Sequence, residues 1–349
     1  MLSVTFADLR FRYRQFLIAV VGAGMVLAMG VLLAGLVSGF AWEINQVVDA
    51  QHADYWVLSH KAEGQLTAAS TFPETTVAAI EHEPSVTQAA GIAVLPQVPL
   101  ILNGKTTLVN LIGVPTTGFG APGDVTGSGL SDRNDAIIDT KVHGQIGDVL
   151  TAGSTSLHVV GKVHGRTLLG GLPVVYVPLA TAQQFGFGGL PLVTAVTVQG
   201  TPTSAPADLD VLTTQRVEDK TLARMSSAIA TIKNTRGLMW LVATIIIAAL
   251  IYVSALQRVR DFAVLKALGA SSGALFGSLC LQAIVVTLFA AVFAAVACNF
   301  MTGLFAQPIA IPVSAFVTLP LVAVGVGMLA SLVALRTATG ADPVSAFGA

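Results

Sequence analysis

The sequence predicts an α-helical membrane protein with four transmembrane helices and a large extracytoplasmic mixed α/β domain inserted between helices 1 and 2. The composition is the first reason, since 54% of the 349 residues are hydrophobic and only 11% are charged. The second is a run of 69 residues, Ala267–Leu335, without Lys, Arg, Asp or Glu. That run is too long for one crossing of a bilayer core about 30 Å thick and right for two. The third is a long polar segment, 43–235, that separates two uncharged runs.

Each predicted span is an uncharged segment long enough to cross the bilayer as a helix that rises about 1.5 Å per residue. The segment Gln307–Pro312 contains two prolines and a polar residue, so it divides the long run into two spans joined by a short loop. The predicted segments are helix 1 at 15–42, helix 2 at 236–257, helix 3 at 274–302, the extracytoplasmic loop at 303–314 and helix 4 at 315–335.

Basic residues predict the orientation of these helices. They are Arg10, Arg12 and Arg14 before helix 1, Arg258, Arg260 and Lys266 after helix 2, and Arg336 after helix 4. With four spans all three groups fall on one side, which the positive-inside rule identifies as the cytoplasm. We therefore expect a multi-pass protein of the cell (inner) membrane, with the N-terminal segment 1–14 and the tail 336–349 both cytoplasmic. A cleavable signal peptide is the alternative for the N-terminus, but its apolar part is usually only about 7–15 residues long.

The polar segment 43–235 predicts alternating strands and helices. An Asn103-Gly104 pair between two apolar runs is a strong hairpin signal. The predicted strands are Tyr55–Ser59, Val94–Val98, Lys105–Val114, Ala136–Asp139, Asp148–Thr151, Leu157–Val163, Pro173–Val177 and Val193–Val198. The predicted helices are Phe72–His82, a short one ending near Gly144, Leu179–Phe185 and Val217–Thr235, the last running without a break into helix 2.

A compact charged segment, 258–273, follows predicted helix 2. Asp261 lies near its start, where a carboxylate stabilises the free N–H groups of a helix. Gly269 suits a left-handed helix end. The apolar face would consist of Phe262, Val264, Leu265 and Leu268, and the polar face of Arg258, Arg260 and Lys266. The pattern predicts a short amphipathic helix along the cytoplasmic surface, which either docks into a protein partner or only anchors to lipid headgroups.

The residues Arg260-Asp-Phe-Ala-Val-Leu-Lys-Ala-Leu-Gly-Ala-Ser271 resemble the signature of the FtsX-like, or MacB-type, ABC transporter permeases. The C-terminal pattern of Arg336 followed by Asp342-Pro343 is similar to the closing pattern of that family. In the polar segment, Ile138-Asp139, Gly147-Asp148 and Val159-Val160-Gly161 resemble its strand–helix–Gly-Asp–strand pattern. The order of one span, a large external domain and three more spans also matches. One departure is Asp261, where the family usually has Glu, but the charge is the same.

The resemblance implies that 258–273 is a coupling helix that docks into a separate cytoplasmic ABC ATPase. The chain would then be a permease subunit that transmits ATP-driven conformational change to its external domain. The work implied is export or extraction of a lipid, lipoprotein, peptide or drug. A second permease copy or a related permease, the lipid bilayer and an extracytoplasmic protein are the further candidate partners, and no nucleic acid is expected.

Two alternatives accompany this interpretation. The FtsX branch implies a non-transporting regulator that activates an extracytoplasmic cell-wall hydrolase. An adhesion or signalling protein with an inert anchor predicts instead that scrambling Phe262–Leu268 has no effect.

The chain itself is not expected to be an enzyme. A phosphate-binding loop needs Gly-x-x-x-x-Gly-Lys-Ser/Thr, and Gly104-Lys105-Thr106 lacks the earlier glycine because Pro99 stands there. ATP and Mg are therefore expected on the partner ATPase, with no cofactor in this chain. Ionisable residues inside spans usually mark ion pathways, and the predicted spans are almost free of them, which disfavours an ion-driven carrier.

Two small patterns remain. Gly35 and Gly39 form a Gly-x-x-x-Gly pair in helix 1 that allows two helices to approach closely, so they are candidate dimer contacts. His158 and His164 lie six residues apart on a predicted hairpin and could share a face. Without an acidic or cysteine partner at ligand spacing, they are more typical of solvated histidines than of a metal site.

Overall fold

The computed structural model describes residues 13–68, 70–153, 155–203, 205–257, 271–304 and 309–311, together with Val264, Gly269 and six isolated positions between Ser314 and Met328. The chain forms two compact units. The helical unit comprises Met1–Ser38 and Ala228–Ala349, and the α/β unit comprises Gly39–Ser227. The helix that begins at Tyr13 contributes residues to both.

The helices within the described residues are α1 (Tyr13–Asp49), α2 (Thr75–Glu81), α3 (Leu179–Phe187), α4 (Thr214–Ala223), α5 (Ser226–Leu256) and α6 (Ser272–Met301). The strands are β1 (Tyr55–Ser59), β2 (Phe72–Pro73), β3 (Val86–Leu102), β4 (Lys105–Val114), β5 (Thr126–Gly127), β6 (Asp135–Asp139), β7 (Val149–Ala152), β8 (Thr155–Val163), β9 (Thr167–Leu168), β10 (Leu172–Pro178), β11 (Leu192–Val193), β12 (Ala195–Gly200) and β13 (Leu209–Thr213). Short 3₁₀ helices occur at His60–Ala62, Thr140–Val142 and Thr302–Leu304.

Three helices of the described chain are long and apolar enough to cross a membrane. They are Phe16–Asp49 within α1, Ser226–Leu256, which is α5, and Gly277–Met301 within α6. The fourth span predicted at 315–335 falls mostly outside the described residues, so it stays a prediction.

The core of the helical unit consists of small and aliphatic side chains at intervals of four and seven residues. They are Ala23, Leu27 and Val31 of α1, Ala243, Ile247, Ile251 and Ala255 of α5, and Leu279, Ala283, Ala290, Ala294 and Cys298 of α6. Such spacing places them on one face of each helix, and small side chains there allow the backbones to approach closely.

The α/β unit is built on a mixed sheet. Among the described strands, its order is β13-β1-β12-β3-β4-β10-β6-β8-β5, while β7 pairs with β3 and β8, and β9 pairs with β10. Strand β10 runs parallel to β4 and antiparallel to β6. Its residues Pro173–Pro178 are all buried, which is typical of a strand that is covered on both faces.

Alternate side chains of the sheet enter two different cores. On one face Ile112, Ile137, Val174 and Tyr176 pack with Ile44, Val47 and Val48 from the end of α1. On the other face Leu111, Ile138, Val175 and Val177 pack with Ala182 of α3. Because successive strand residues point to opposite faces, the end of α1 and helix α3 cover opposite sides of the same strands.

The predicted hairpin is confirmed. Leu102 pairs with Lys105, and both intervening residues have positive φ, 50° for Asn103 and 76° for Gly104. A two-residue loop of this kind requires positive φ at both positions, which is why Asn-Gly favours it.

Three sequence predictions missed where an element begins or ends. The strand expected at Val94–Val98 is β3, which begins at Val86 and contains an irregularity near Gln97, where φ is 57°. Its first residues are small and polar, so they carry no alternating apolar signal. The helix expected at Phe72–His82 begins only at Thr75, because Phe72 and Pro73 pair with Val193 and Leu192.

The third error concerns Val217–Thr235, which is not one helix. Helix α4 ends at Ala223 and α5 begins at Ser226. Between them, the Arg224 guanidinium donates to the carbonyl oxygen of Thr67 at 3.0 Å, and the Met225 N–H donates to the carbonyl oxygen of Leu222 at 2.9 Å. These contacts hold a tight turn where the apolar spacing alone had predicted a continuous helix.

Candidate functional site

Most of the predicted coupling segment falls outside the described residues. Seven of its singled-out residues do so: Arg258, Arg260, Asp261, Phe262, Leu265, Lys266 and Leu268. Val264 is helical and 42% exposed. Gly269 has φ of 94°, in the region that glycine adopts without steric cost. The role of the segment as an ATPase contact stays a prediction.

The described residues contain a second candidate site, which the sequence did not predict. It lies in the α/β unit, where the last turns of α1 meet the loop His164–Gly171, and we call it the Glu43 junction. The Glu43 side chain is only 1% exposed. The Thr167 hydroxyl donates to Glu43 Oε1 at 2.9 Å, and the Gly170 N–H donates to Glu43 Oε2 at 3.0 Å. Both carboxylate oxygens are therefore paired, as burial of this group requires.

The backbone of the loop has an unusual shape that suits this carboxylate. Gly165, Leu169, Gly170 and Gly171 all have positive φ, at 72°, 58°, 82° and 92°. From this turn the Gly170 N–H donates to Glu43, and the Gly171 backbone also hydrogen-bonds to it. Gly165 also leaves room for the ring of Trp42, since a Cβ there would lie 3.1 Å from Trp42 Cη2.

Arg166 joins the same loop to the helix a second time. Its Nη1 donates to the Gln46 carbonyl oxygen and, at 3.0 Å, to Gln46 Oε1. Its backbone N–H donates to Asp139 Oδ2 at 2.8 Å, and Asp139 is fully buried at the end of β6. The Arg166 guanidinium thus donates to two acceptors of α1. These hydrogen bonds add to those of Glu43, because they use different atoms of the loop.

A residue of the sheet also donates a hydrogen bond to the loop. Asn110 of β4, which is fully buried, donates from Nδ2 to the carbonyl oxygen of Leu168 at 2.9 Å. Tyr176 lies in the adjacent strand, and burial raises its pKa to about 12, against a smaller lowering by Arg166. The Tyr176 hydroxyl therefore stays neutral.

The junction is a set of hydrogen bonds between α1 and the loop. It carries no cluster of three or more His, Cys, Asp or Glu that could hold a metal, and neither does any other part of the described chain. Its charged and polar groups are used to fix one position of α1 on the sheet. One faint signal of the junction is visible in the sequence, an isolated Glu immediately after an uncharged run, but the hydrogen-bond partners of Glu43 lie 124 and 127 residues away.

Curated relatives cover the whole chain. An uncharacterized ABC transporter permease of Mycobacterium bovis and one of Mycobacterium tuberculosis are each 32% identical over 349 residues, spanning 100% of this chain and 99% of the relative. A further uncharacterized ABC transporter permease of Mycobacterium tuberculosis is 30% identical over the same length. The chain belongs to the ABC transporter permeases. Residues 237–343 of the permease also match the family model described as FtsX-like permease C-terminal, a range that contains the predicted coupling segment.

Solved structures match the α/β portion of the permease at low identity. The periplasmic region of MacB from Actinobacillus actinomycetemcomitans is 10% identical, with a TM-score of 0.36, over 47% of this chain and 90% of that one. The extracellular domain of YknZ, a noncanonic ABC-type transporter from Gram-positive bacteria, is 18% identical, with a TM-score of 0.31, over 49% of this chain and 90% of that one.

The structure places Gly35 against the permease's own chain. A Cβ on Gly35 would lie 2.5 Å from Ile309 Cγ2 and 3.2 Å from Ile311 Cγ1, and the Ala310 N–H donates to the Gly35 carbonyl oxygen at 3.1 Å. Gly39 is buried as well. Gly35 therefore allows a close approach within one subunit, and the role of Gly35 and Gly39 as dimer contacts stays a prediction.

The two predicted histidines have separate local partners. His158 of β8 lies opposite Asp135 of β6 in the parallel register. Burial would raise the pKa of Asp135, but hydrogen bonds from Asp132 and Ser131 and the charge of His158 lower it overall. His164 Nδ1 lies 3.2 Å from the Thr140 hydroxyl. Each histidine therefore has a structural partner in the α/β unit.

Proposed function

We propose that this permease transmits ATP-driven conformational change from a separate cytoplasmic ATPase to its α/β unit. The work done there would be export or extraction of a lipid, lipoprotein, peptide or drug. The relatives that span the whole chain are named as transporter permeases, which supports transport over the regulation of a cell-wall hydrolase.

The observation that carries this proposal is the continuity of α1 together with the Glu43 junction. Helix α1 is unbroken from Tyr13 to Asp49, and it contains an apolar segment long enough to cross a membrane. A helix without a break resists bending because each turn keeps its backbone hydrogen bonds. Its last turns are hydrogen-bonded to the loop His164–Gly171 through Glu43 and Gln46. Displacement of the helix along its axis would therefore be transmitted directly to the sheet.

The cytoplasmic part of the proposal rests on the segment 258–273. Its apolar residues, among them Leu265, would enter a groove of the ATPase, which would bind ATP and Mg. The arrangement implies four spans, both termini in the cytoplasm and the α/β unit on the other side. Two copies, or this chain with a related permease, would bring two ATPases together in one complex.

Co-purification tests the proposal. The native permease, Leu265→Asp and Leu190→Asp would each be isolated in mild detergent from the producing cells, and bound proteins identified by mass spectrometry. Leu190 is 59% exposed in the α/β unit, so the same substitution there controls for a general effect of adding a charge. We expect an ABC ATPase with the native chain and with Leu190→Asp, and at least a tenfold loss with Leu265→Asp, since an apolar anchor becomes a buried charge.

Two results would count against the proposal. If no ATPase accompanies the native chain, the subunit does not work by this mechanism. If the ATPase is retained with Leu265→Asp, the contact lies elsewhere than 258–273. A hydrolase bound to the native chain without any stimulation of ATPase activity by lipids or peptides would favour the regulator.

A further inference from the structure

A cleft of about 510 Å³ opens on the α/β unit beside helix α2. Its apolar wall includes Val77, Ala90 and Leu179, and Phe119 contributes an aromatic ring. Its polar lining includes Gln88, Thr116 and Thr117. The cleft lies on residues that neither the Glu43 junction nor the predicted coupling segment uses, so its chemistry requires a separate explanation.

Two carboxylates line the cleft from the same helix. Glu74 precedes α2 and Glu81 is its last residue. Seven residues make nearly two full turns, so the two side chains leave one face of the helix about 10 Å apart along its axis. Val77, which also lines the cleft, lies between them on that face. The result is two negative charges with an apolar strip between them.

No basic side chain balances these charges within the cleft. None of the described residues that line it is Lys, Arg or His. Glu74 is half-buried and its Oε2 accepts a hydrogen bond from Gln183 Nε2 at 2.8 Å, which fixes its position without neutralising its charge. Concave surfaces that carry charge of one sign concentrate ligands of the opposite sign.

We propose that this cleft binds an elongated organic dication, a polyamine-like chain with an ammonium group near each glutamate. The aliphatic part of such a ligand would lie along Val77 and the adjoining apolar wall, and the threonine hydroxyls would accept hydrogen bonds from its N–H groups. An ammonium group is a compact point charge with three donors, which suits two separated carboxylates better than a planar guanidinium does. This proposal does not depend on the ATPase or on transport.

Binding to the full-length permease in detergent at low salt tests it by calorimetry. The probes are diaminooctane with amino groups at both ends, whose extended length matches the separation of the carboxylates, and spermidine. Diaminopropane, hexylamine and a short peptide with two lysines serve as comparisons. We expect diaminooctane and spermidine to bind most tightly, and hexylamine to bind about tenfold more weakly because it satisfies only one carboxylate.

Three variants sharpen the test. Glu74→Gln should weaken diaminooctane binding about fivefold and Glu81→Gln about twofold to threefold, because Glu74 is half-buried and less screened by solvent while Glu81 is exposed. Glu63→Gln removes one charge from an exposed position outside the cleft and should change the affinity little. Thr117→Trp adds bulk at an exposed position of the wall and should also weaken binding.

The alternative outcomes are distinct. Equal affinity for hexylamine and diaminooctane, or unchanged affinity in the double variant of Glu74 and Glu81, would overturn the proposal. An equal loss in Glu63→Gln would mean that only the overall charge attracts the probe. Saturable binding of the dilysine peptide without binding of diaminooctane or spermidine would assign the cleft to a peptide instead.

Discussion

Helix α1 is held differently in the two units to which it contributes. In the helical unit the contacts are made by small residues, since a Cβ on Gly24 would lie 2.9 Å from the Ala290 carbonyl oxygen and one on Gly30 would lie 2.9 Å from Trp240 Nε1. In the α/β unit the helix adds hydrogen bonds of Glu43 and Gln46 to the apolar packing of Ile44, Val47 and Val48. Close packing of small residues fixes the distance between two helices. Directional hydrogen bonds to the loop also fix the position of α1 along its own axis.

The largest predicted effect comes from breaking the bonded end of α1. Glu43→Leu would leave the buried Thr167 hydroxyl and the half-buried Gly170 N–H without this partner, at a cost of about 2–3 kcal/mol. Glu43→Gln would keep one acceptor and should cost less. Amide hydrogen exchange of the full-length protein in detergent, read by mass spectrometry over His164–Gly171, measures both.

The control for this prediction is Glu63→Gln, which changes an exposed glutamate of the same unit. Faster exchange should be confined to the loop and to the strands that contact it. If exchange of the loop in Glu43→Leu equals that of the native protein, the junction does not hold the loop.

The close packing in the helical unit can be broken with a matched pair of glycines. A Cβ on Gly24 would lie 2.7 Å from Phe293 Cδ1 and 2.9 Å from the backbone of Ala290, so Gly24→Ala should destabilise the unit by about 1–3 kcal/mol. A Cβ on Gly22 would meet nothing within 4 Å, and Gly22→Ala should be neutral or stabilising by up to about 1 kcal/mol. Thermal unfolding in detergent compares them, and equal midpoints would show that α1 and α6 do not approach this closely.

The smallest predicted effect concerns Glu218 of α4. Burial and the nearby charges of Asp49 and Asp219 raise its pKa above the usual value. A raised pKa means that the contribution to stability is complete below the ordinary value and is lost as the pH rises through the raised one. Glu218→Gln should therefore stabilise the α/β unit at neutral pH, by less than about 1 kcal/mol.

The same variant should show no gain near pH 4, where the native carboxyl is protonated as well. Denaturant unfolding at the two pH values provides the comparison. A gain in stability of the same size at both pH values would mean that helix propensity, and not charge, explains the effect of Glu218→Gln.

The sequence predicted what depends on local chemistry. The prediction of the Asn103-Gly104 turn was correct because both residues accept positive φ. The helices α1, α5 and α6 were recognisable because each contains an uncharged apolar run as long as a membrane span. The Glu43 junction was not predictable, since its partners are separated by more than 120 residues and only the sheet brings them together. The two-residue strands β2 and β11 were missed for the same reason.

The cleft could not be predicted from the sequence either. Glu74 is typical of the start of a short helix, and nothing in the spacing of Glu74 and Glu81 distinguishes a solvated face from a binding surface. Their meaning depends on Thr116, Thr117 and Phe119, which follow β4 and are about 40 residues away in the sequence.

The tight turn at Arg224 and Met225 makes the two chain passages between the units unequal. The first passage lies inside α1, where a change of direction would break backbone hydrogen bonds. The second lies at the start of α5, directly after a two-residue turn at which the helical hydrogen bonding of α4 ends and that of α5 begins. In the proposed transmission, α1 would carry a displacement through an unbroken helix, whereas the second passage would depend on the hydrogen bonds of a two-residue turn.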